Sequence, residues 1–253
     1  MPAACTLGGM AHHVRIHQSL LAAAEKRLLV RIANQLPRWI NSDHLTLLAL
    51  AAMALAGAGY ASARWDQRGL WLVVAALAVN WFGDSLDGTL ARVRRAERPR
   101  YGFYVDHVLD IVGITLLLGG LACSGFMTPV IALAVLVAYL LVAGEVFLAT
   151  AVSGVFRMSV AGVGPTELRI LLAVGTVAQL RDPQVDLGSL GVWAMFDVGG
   201  LVATAGLGAT LALAVARNTF DLAQQEPRQP PTPQLPTPKR SVPLGVEELG
   251  IES

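Results

Sequence analysis

Charge is scarce in this chain, and that scarcity sets its class. Asp, Glu, Lys and Arg make up 15% of 253 residues, against roughly a quarter in ordinary soluble domains. Hydrophobic residues reach 54% and mean hydropathy is +0.55. Basic and acidic side chains nearly cancel, giving a net charge of +1 and a pI of 7.9. With no basic groove and no zinc spacing, a nucleic-acid partner is not expected. The only cysteines, Cys5 and Cys123, are unrelated in position and offer neither a disulfide framework nor a thiolate metal site. No charged start leads into an apolar run with a small-residue cleavage site, so the beginning does not read as a signal peptide, and Met10 competes with Met1 as the start.

Long apolar runs fill the space that charge leaves. Six stretches approach the roughly 20 residues needed to cross a hydrocarbon core; they lie near 44–63, 69–90, 104–123, 129–150, 165–181 and 195–216. The fifth is the shortest and carries Glu167 and Arg169. Before the first span, Ile16, Leu20, Ala24, Leu28, Ile32 and Leu36 repeat every four positions, with Leu21 and Leu29 beside them and Lys26, Arg27 and Arg31 projecting elsewhere. This predicts a basic amphipathic helix on the membrane surface, or packed on the end of the bundle. Pro37 ends it, and Asn41, Ser42 and Asp43 offer caps for the first span. The expected fold is therefore an all-α integral membrane protein of six transmembrane helices preceded by an amphipathic interfacial helix. Its parts are a cytoplasmic N-terminus (1–43), a six-helix domain (44–217) and a Pro-rich, disordered cytoplasmic tail (218–253). Lys and Arg crowd the stretch before the first span and the loop after the second, where Arg94, Arg95, Arg98 and Arg100 lie; only Arg64, Arg68 and Arg181 mark the other side. The positive-inside rule then puts both termini and that loop in the cytoplasm.

Four aspartates interrupt the second and third spans in the run DSLDGTLARVRRAERPRYGFYVDHVLD, residues 84–110. Asp84, Asp87, Gly88, Ala91 and Arg92 fall on one stripe of a helix, and Gly102, Asp106 and Asp110 on one stripe of the next. Each carboxylate deep in a bilayer costs roughly 2.5–3.5 kcal/mol, so the cluster demands a cation. Antiparallel pairing brings Asp87 level with Asp106 and Asp84 level with Asp110. Hard oxygens favour Mg²⁺ or Mn²⁺ over zinc, and four carboxylates carry enough charge for two ions of the kind that clamp phosphate chemistry. Gly88 and Ala91 leave room for a flat base or a diphosphate, with Arg92 at the mouth to take a phosphate.

The order D-x2-D-G-x2-A-R followed by G-x3-D-x3-D resembles the CDP-alcohol phosphotransferase (CDP-alcohol phosphatidyltransferase) family, integral membrane enzymes of phospholipid biosynthesis. The motif covers residues 84–110 in detail, and the span pattern resembles the family from about 15 to 217. The resemblance implies that Asp84, Asp87 and Asp106 hold two divalent ions, with Asp110 completing the site. Asp110 would also be the general base for the acceptor hydroxyl, or the group that orients it. Gly88 and Ala91 would accept the cytidine nucleotide, Arg92 its phosphates, and Gly102 would line the same pocket. Donor and acceptor would be a CDP-alcohol and an alcohol or lipid, with CMP released and membrane lipids as surroundings. The resemblance also admits a homodimer, though no residue marks its surface. One departure stands out: positions 93–101 place nine residues between Arg92 and Gly102 where the family has eight, and Pro99 there suggests a loop that absorbs the extra one.

Two branches of the family fit. One joins CDP-diacylglycerol to a polar alcohol, the other a CDP-amino alcohol to diacylglycerol. His107 after Asp106, and Thr166-Glu167, resemble the second branch; a packed His107 and a Glu167–Arg169 ion pair are the structural readings of the same residues. Few basic residues beyond Arg157 and Arg169 are available to hold a phosphorylated acceptor. Asn80, one turn before Asp84, is a candidate support for the site. Glu145 is a candidate substrate contact, and Asp197 is expected at a hydrated interface. Gly199, Gly200, Ala203, Gly206 and Gly208 suggest close helix packing. The competing class is a divalent-cation transporter with an acidic hairpin. It is disfavoured because the carboxylates cluster near one face beside an Arg and no second acidic pair follows.

Overall fold

A computed structural model gives the fold and describes residues 20–154, 165–181 and 184–227. Among these are helices α1 (Leu20–Gln35), α2 (Ser42–Ala63), α3 (Arg68–Val93), α4 (Pro99–Ser124), α5 (Pro129–Ser153), α6 (Pro165–Gln179) and α7 (Met195–Gln225). A short antiparallel ribbon, β1 (Gln184–Asp186) with β2 (Val192–Ala194), stands between α6 and α7. Helix ends follow local chemistry. Pro99, Pro129 and Pro165 open α4, α5 and α6, where an N–H would have no intrahelical partner. Gly125 (φ 80°) and Gly154 (φ 69°) close α4 and α5 in the left-handed region that glycine enters without strain. Asn41 caps α2, its backbone N–H donating to His44 Nδ1 at 3.2 Å.

Several expectations need correction. Among the described residues, five helices, α2, α3, α4, α5 and α7, are long and apolar enough to cross a membrane. The segment expected as the fifth span holds α6 of 15 residues, about 22 Å at 1.5 Å per residue, short of a roughly 30 Å core. Pro99 starts a helix, so the loop before it is only residues 94–98 and Gly102 lies in the first turn of α4. Helix α7 continues to Gln225, past the boundary expected at 217, because 218–225 keeps helix-compatible residues until Pro227. The Pro-rich stretch beyond 227, Arg157 and the side chain of Glu167 lie outside the described residues.

The core is built where α2, α3 and α4 meet. Tyr60, Val73, Leu77, Leu117 and Leu121 form its centre. Helices α2 and α4 approach so closely that a side chain at Gly120 would enter the backbone at Gly57, and one at Gly57 the backbone at Leu116, the small-residue contact that lets membrane helices approach. Tyr60 and Thr176 share a 2.6 Å hydrogen bond that ties α2 to α6, and Phe196 of α7 packs edge-on against the Tyr60 ring. Helices α5 and α7 pack on each other and bury little else. In the small-residue stripe of α7, a side chain at Gly200 would run into Ile131 and Met127, whereas one at Gly199, Gly206 or Gly208 would meet nothing within 4 Å among the described residues.

Helix α1 seals the other end of the bundle. Leu29 and Ala33 are buried with Leu45, Leu86 and Leu90, while Leu28 is 50% exposed. Ile32 and Leu36 of the four-residue repeat pack against the same cluster, so the buried stripe combines that repeat with Leu29 and Ala33 beside it. Arg94, counted above only as a loop charge, donates to the carbonyls of Leu36 (3.1 Å), Pro37 (2.9 Å) and Ile40, strapping the end of α3 to the α1–α2 link.

Candidate functional site

Helices α3 and α4 run antiparallel beside α2, and the four aspartates line one cavity between them of about 100 Å³. One oxygen from each of Asp84, Asp106 and Asp110 lies within 4.8 Å of the others. Ionised carboxylates at that spacing repel by about 3 kcal/mol per pair at an effective dielectric of 20. An all-oxygen set of this kind fits a hard divalent cation. Part of the charge is met from an unexpected direction: Arg169 of α6 places Nη1 2.8 Å from Asp84 Oδ2. Arg169 is therefore a partner of the aspartate cluster.

Asp87 lies on the wall of the same cavity but outside that tight group. Its carboxylate accepts from the Thr46 hydroxyl at 2.9 Å and from the Gly88 backbone N–H. The Ser42 hydroxyl donates to the Asp87 carbonyl at 3.0 Å. These bonds fix Asp87 against α2, at the join between the cavity and a wider groove. Thr46, Asp87 and Asp106 line both.

The groove brings together the remaining expected residues, Gly88, Ala91, Arg92 and Gly102. A side chain at Gly102 would meet nothing within 4 Å, and one at Gly88 only the Arg92 guanidinium at 3.6 Å. Neither glycine is required by the fold there; each leaves volume for an occupant. Arg92 Nη2 donates to Thr89 at 3.2 Å, keeping the guanidinium along the groove wall. Across the mouth, Arg98 pairs with Asp43 and lies 4.0 Å over the Tyr101 ring. The hydrogen bond to Asp43 raises the Arg98 pKa further above its ordinary value.

Other sequence candidates have packing or hydrogen-bond partners, and His107 also lines the groove, 3.8 Å from Asp106. His107 Nδ1 is 2.7 Å from the Phe103 carbonyl, with its ring between Phe103 and Phe147. Asp197 accepts from the backbone N–H (2.6 Å) and hydroxyl (2.7 Å) of Thr128, so it caps α5 rather than facing water alone. Glu145 accepts from Asn218 at 2.6 Å, joining α5 to α7. Sequence reasoning missed Ser42 and Thr46, and also Tyr139, which lines the cavity from α5. For Ser42 and Thr46 the signal was present: hydroxyls one helical turn apart at the start of an apolar span.

Residues 39–215 match the family model described as CDP-alcohol phosphatidyltransferase. Among solved structures, the chain is similar to the phosphatidylinositol phosphate synthase of Mycobacterium tuberculosis with CDP-DAG bound. Identity is 21%, with 78% of this chain and 92% of that chain covered at a TM-score of 0.50. That likeness concerns the fold. No curated protein matches the sequence.

Proposed function

The chain belongs to the CDP-alcohol phosphatidyltransferase family, integral membrane enzymes of phospholipid synthesis, and on that premise we propose what its residues do. It transfers a substituted phosphate from a CDP-alcohol to an acceptor hydroxyl and releases CMP. The observation that carries this reading is that an open groove at Gly88, Ala91, Arg92 and Gly102 shares Thr46, Asp87 and Asp106 as wall with the cavity where three carboxylates converge.

In this proposal Asp84, Asp87, Asp106 and Asp110 hold two Mg²⁺ or Mn²⁺ ions, which when bound neutralise charge on the diphosphate. Gly88, Ala91 and Gly102 accept the cytidine nucleotide, and Arg92 pairs with its phosphates. Asp110 takes the proton of the acceptor hydroxyl as its oxygen bonds to the β-phosphorus, and the bond to CMP breaks. Thr46 and Ser42 keep Asp87 pointed at the join, so that little reorganisation accompanies transfer. Placement and charge complementarity supply most of the rate.

The proposal extends to topology. Asp197 at the start of α7 touches Thr128 at the start of α5, whereas α5 ends on the other side of the bundle. Helix α6 joins those sides, with Arg169 beside Asp84 and Thr176 beside Tyr60. This supports a sixth crossing within 165–181, a six-helix domain over 44–217, and the groove, both termini and the 218–253 tail in the cytoplasm.

The test is CMP release from purified protein in lipid nanodiscs with Mg²⁺. CDP-diacylglycerol is offered with polar alcohols, and CDP-choline or CDP-ethanolamine with diacylglycerol. CMP from one donor class, lost in Asp110→Asn, is expected; CMP from none contradicts the proposal.

A further inference from the structure

The mouth of the groove carries an ion pair that the transfer chemistry above leaves unused. Arg98, at the start of α4, donates from Nη2 to Oδ1 of Asp43 in the first turn of α2. Both side chains are about half exposed, and an exposed pair of this kind adds little to stability. Both nevertheless line the groove, together with Tyr101, whose ring lies 4.0 Å from the Arg98 guanidinium. The pair stands away from the carboxylate cluster. Asp43 is one turn before Thr46 on α2, and Arg98 precedes Asp106 by about 12 Å along the axis of α4.

We propose that Asp43 and Arg98 together read the base of the bound nucleotide and select cytosine over uracil. The inference rests on the transferase reading above and deepens it. A nucleotide whose phosphates meet Arg92 and the carboxylates turns its base toward the mouth. Gly102 stands on that wall, and a side chain there would meet nothing within 4 Å among the described residues. The bonded pair presents one acceptor, Asp43 Oδ2, next to the remaining N–H donors of Arg98. Cytosine offers the complementary edge, a donor amino group at N4 beside the acceptor N3. Uracil presents the reverse, an acceptor at O4 beside a donor at N3. Oxygen would then face oxygen and N–H would face N–H, leaving desolvated polar groups unpaired. The Tyr101 ring supplies a flat surface on the same wall for the base to stack on. Asp43 and Arg98 thus set specificity for the leaving nucleotide and take no part in bond making.

The experiment measures binding of CDP and of UDP, each with Mg²⁺, to purified protein in lipid nanodiscs by calorimetry. In the wild type UDP should bind about 30-fold more weakly than CDP, a difference of about 2 kcal/mol. Asp43→Asn keeps the size of the side chain, and its amide can turn either an oxygen or an N–H toward the base. That variant should bind CDP and UDP within about threefold of each other. Glu97→Gln, at the neighbouring carboxylate of the groove mouth, should keep the wild-type preference. Equal affinities for CDP and UDP in the wild type overturn the inference while leaving the transferase reading standing, and this comparison does not depend on a variant folding. A full preference for CDP retained in Asp43→Asn overturns it too. Binding of neither nucleotide overturns both the inference and the reading beneath it.

Discussion

At the residue scale the aspartates differ in their partners, and the difference can be measured. Asp84 is neutralised by Arg169, while Asp106 shares its surroundings with two other carboxylates. In chelator, Asp106→Asn relieves repulsion and should melt at or above the wild type. Asp84→Asn strands a guanidinium that is only 15% exposed and should melt lower, by roughly 2 kcal/mol of stability. Tryptophan fluorescence melting in nanodiscs makes the comparison, and equal losses in both variants would contradict it. Both should lose transferase activity by a factor on the order of 10²–10³. Thr46→Val removes the hydroxyl that holds Asp87 and should lower activity about 5- to 10-fold without lowering the melting temperature; unchanged activity would remove Thr46 from the site. The sequence made the aspartates legible because charge inside an apolar helix is conspicuous. It hid Thr46 and Arg169, whose roles depend on which helices come together.

At the element scale, the apolar runs placed α2, α3 and α5 to within three residues, whereas α4 begins five residues before the expected start because Pro99, read as a loop residue, opens that helix. The ribbon of β1 and β2 was not legible: three-residue strands have no period to read, and only Gly188 and Gly191 hinted at a turn. The strap made by Arg94 was equally hidden, because a loop arginine looks the same in sequence whether it faces water or three carbonyls. Arg94→Ala should loosen α1, raising amide hydrogen exchange over 26–36 at least tenfold while α2 and α4 stay protected. Exchange unchanged in α1 would show that Leu29 and Ala33 hold it alone. Gly120→Val drives a branched side chain into α2 at Gly57 and should prevent recovery of folded protein, whereas Gly102→Ala should fold normally and weaken nucleotide binding.

At the scale of the whole molecule, composition alone was enough to assign the membrane as solvent, and the distribution of Arg to propose a side. Cysteine accessibility tests that arrangement. With Cys5 and Cys123 replaced by serine, Ala96→Cys and Glu226→Cys should react with an impermeant maleimide only from the cytoplasmic face. Asp66→Cys and Ser189→Cys should react only from the opposite face. Labelling of positions 96 and 189 from one side would remove the sixth crossing, because α6 would then return without traversing the bilayer.

The aspartate cluster is proposed as a divalent-metal centre that enables CMP release, and a metal titration tests this most directly. Protein stripped with chelator should form no CMP. Activity should return saturably with Mg²⁺ or Mn²⁺, and Asp106→Asn should need far more metal or fail to recover. Full CMP formation in chelator, or an identical titration curve for Asp106→Asn, would contradict the account.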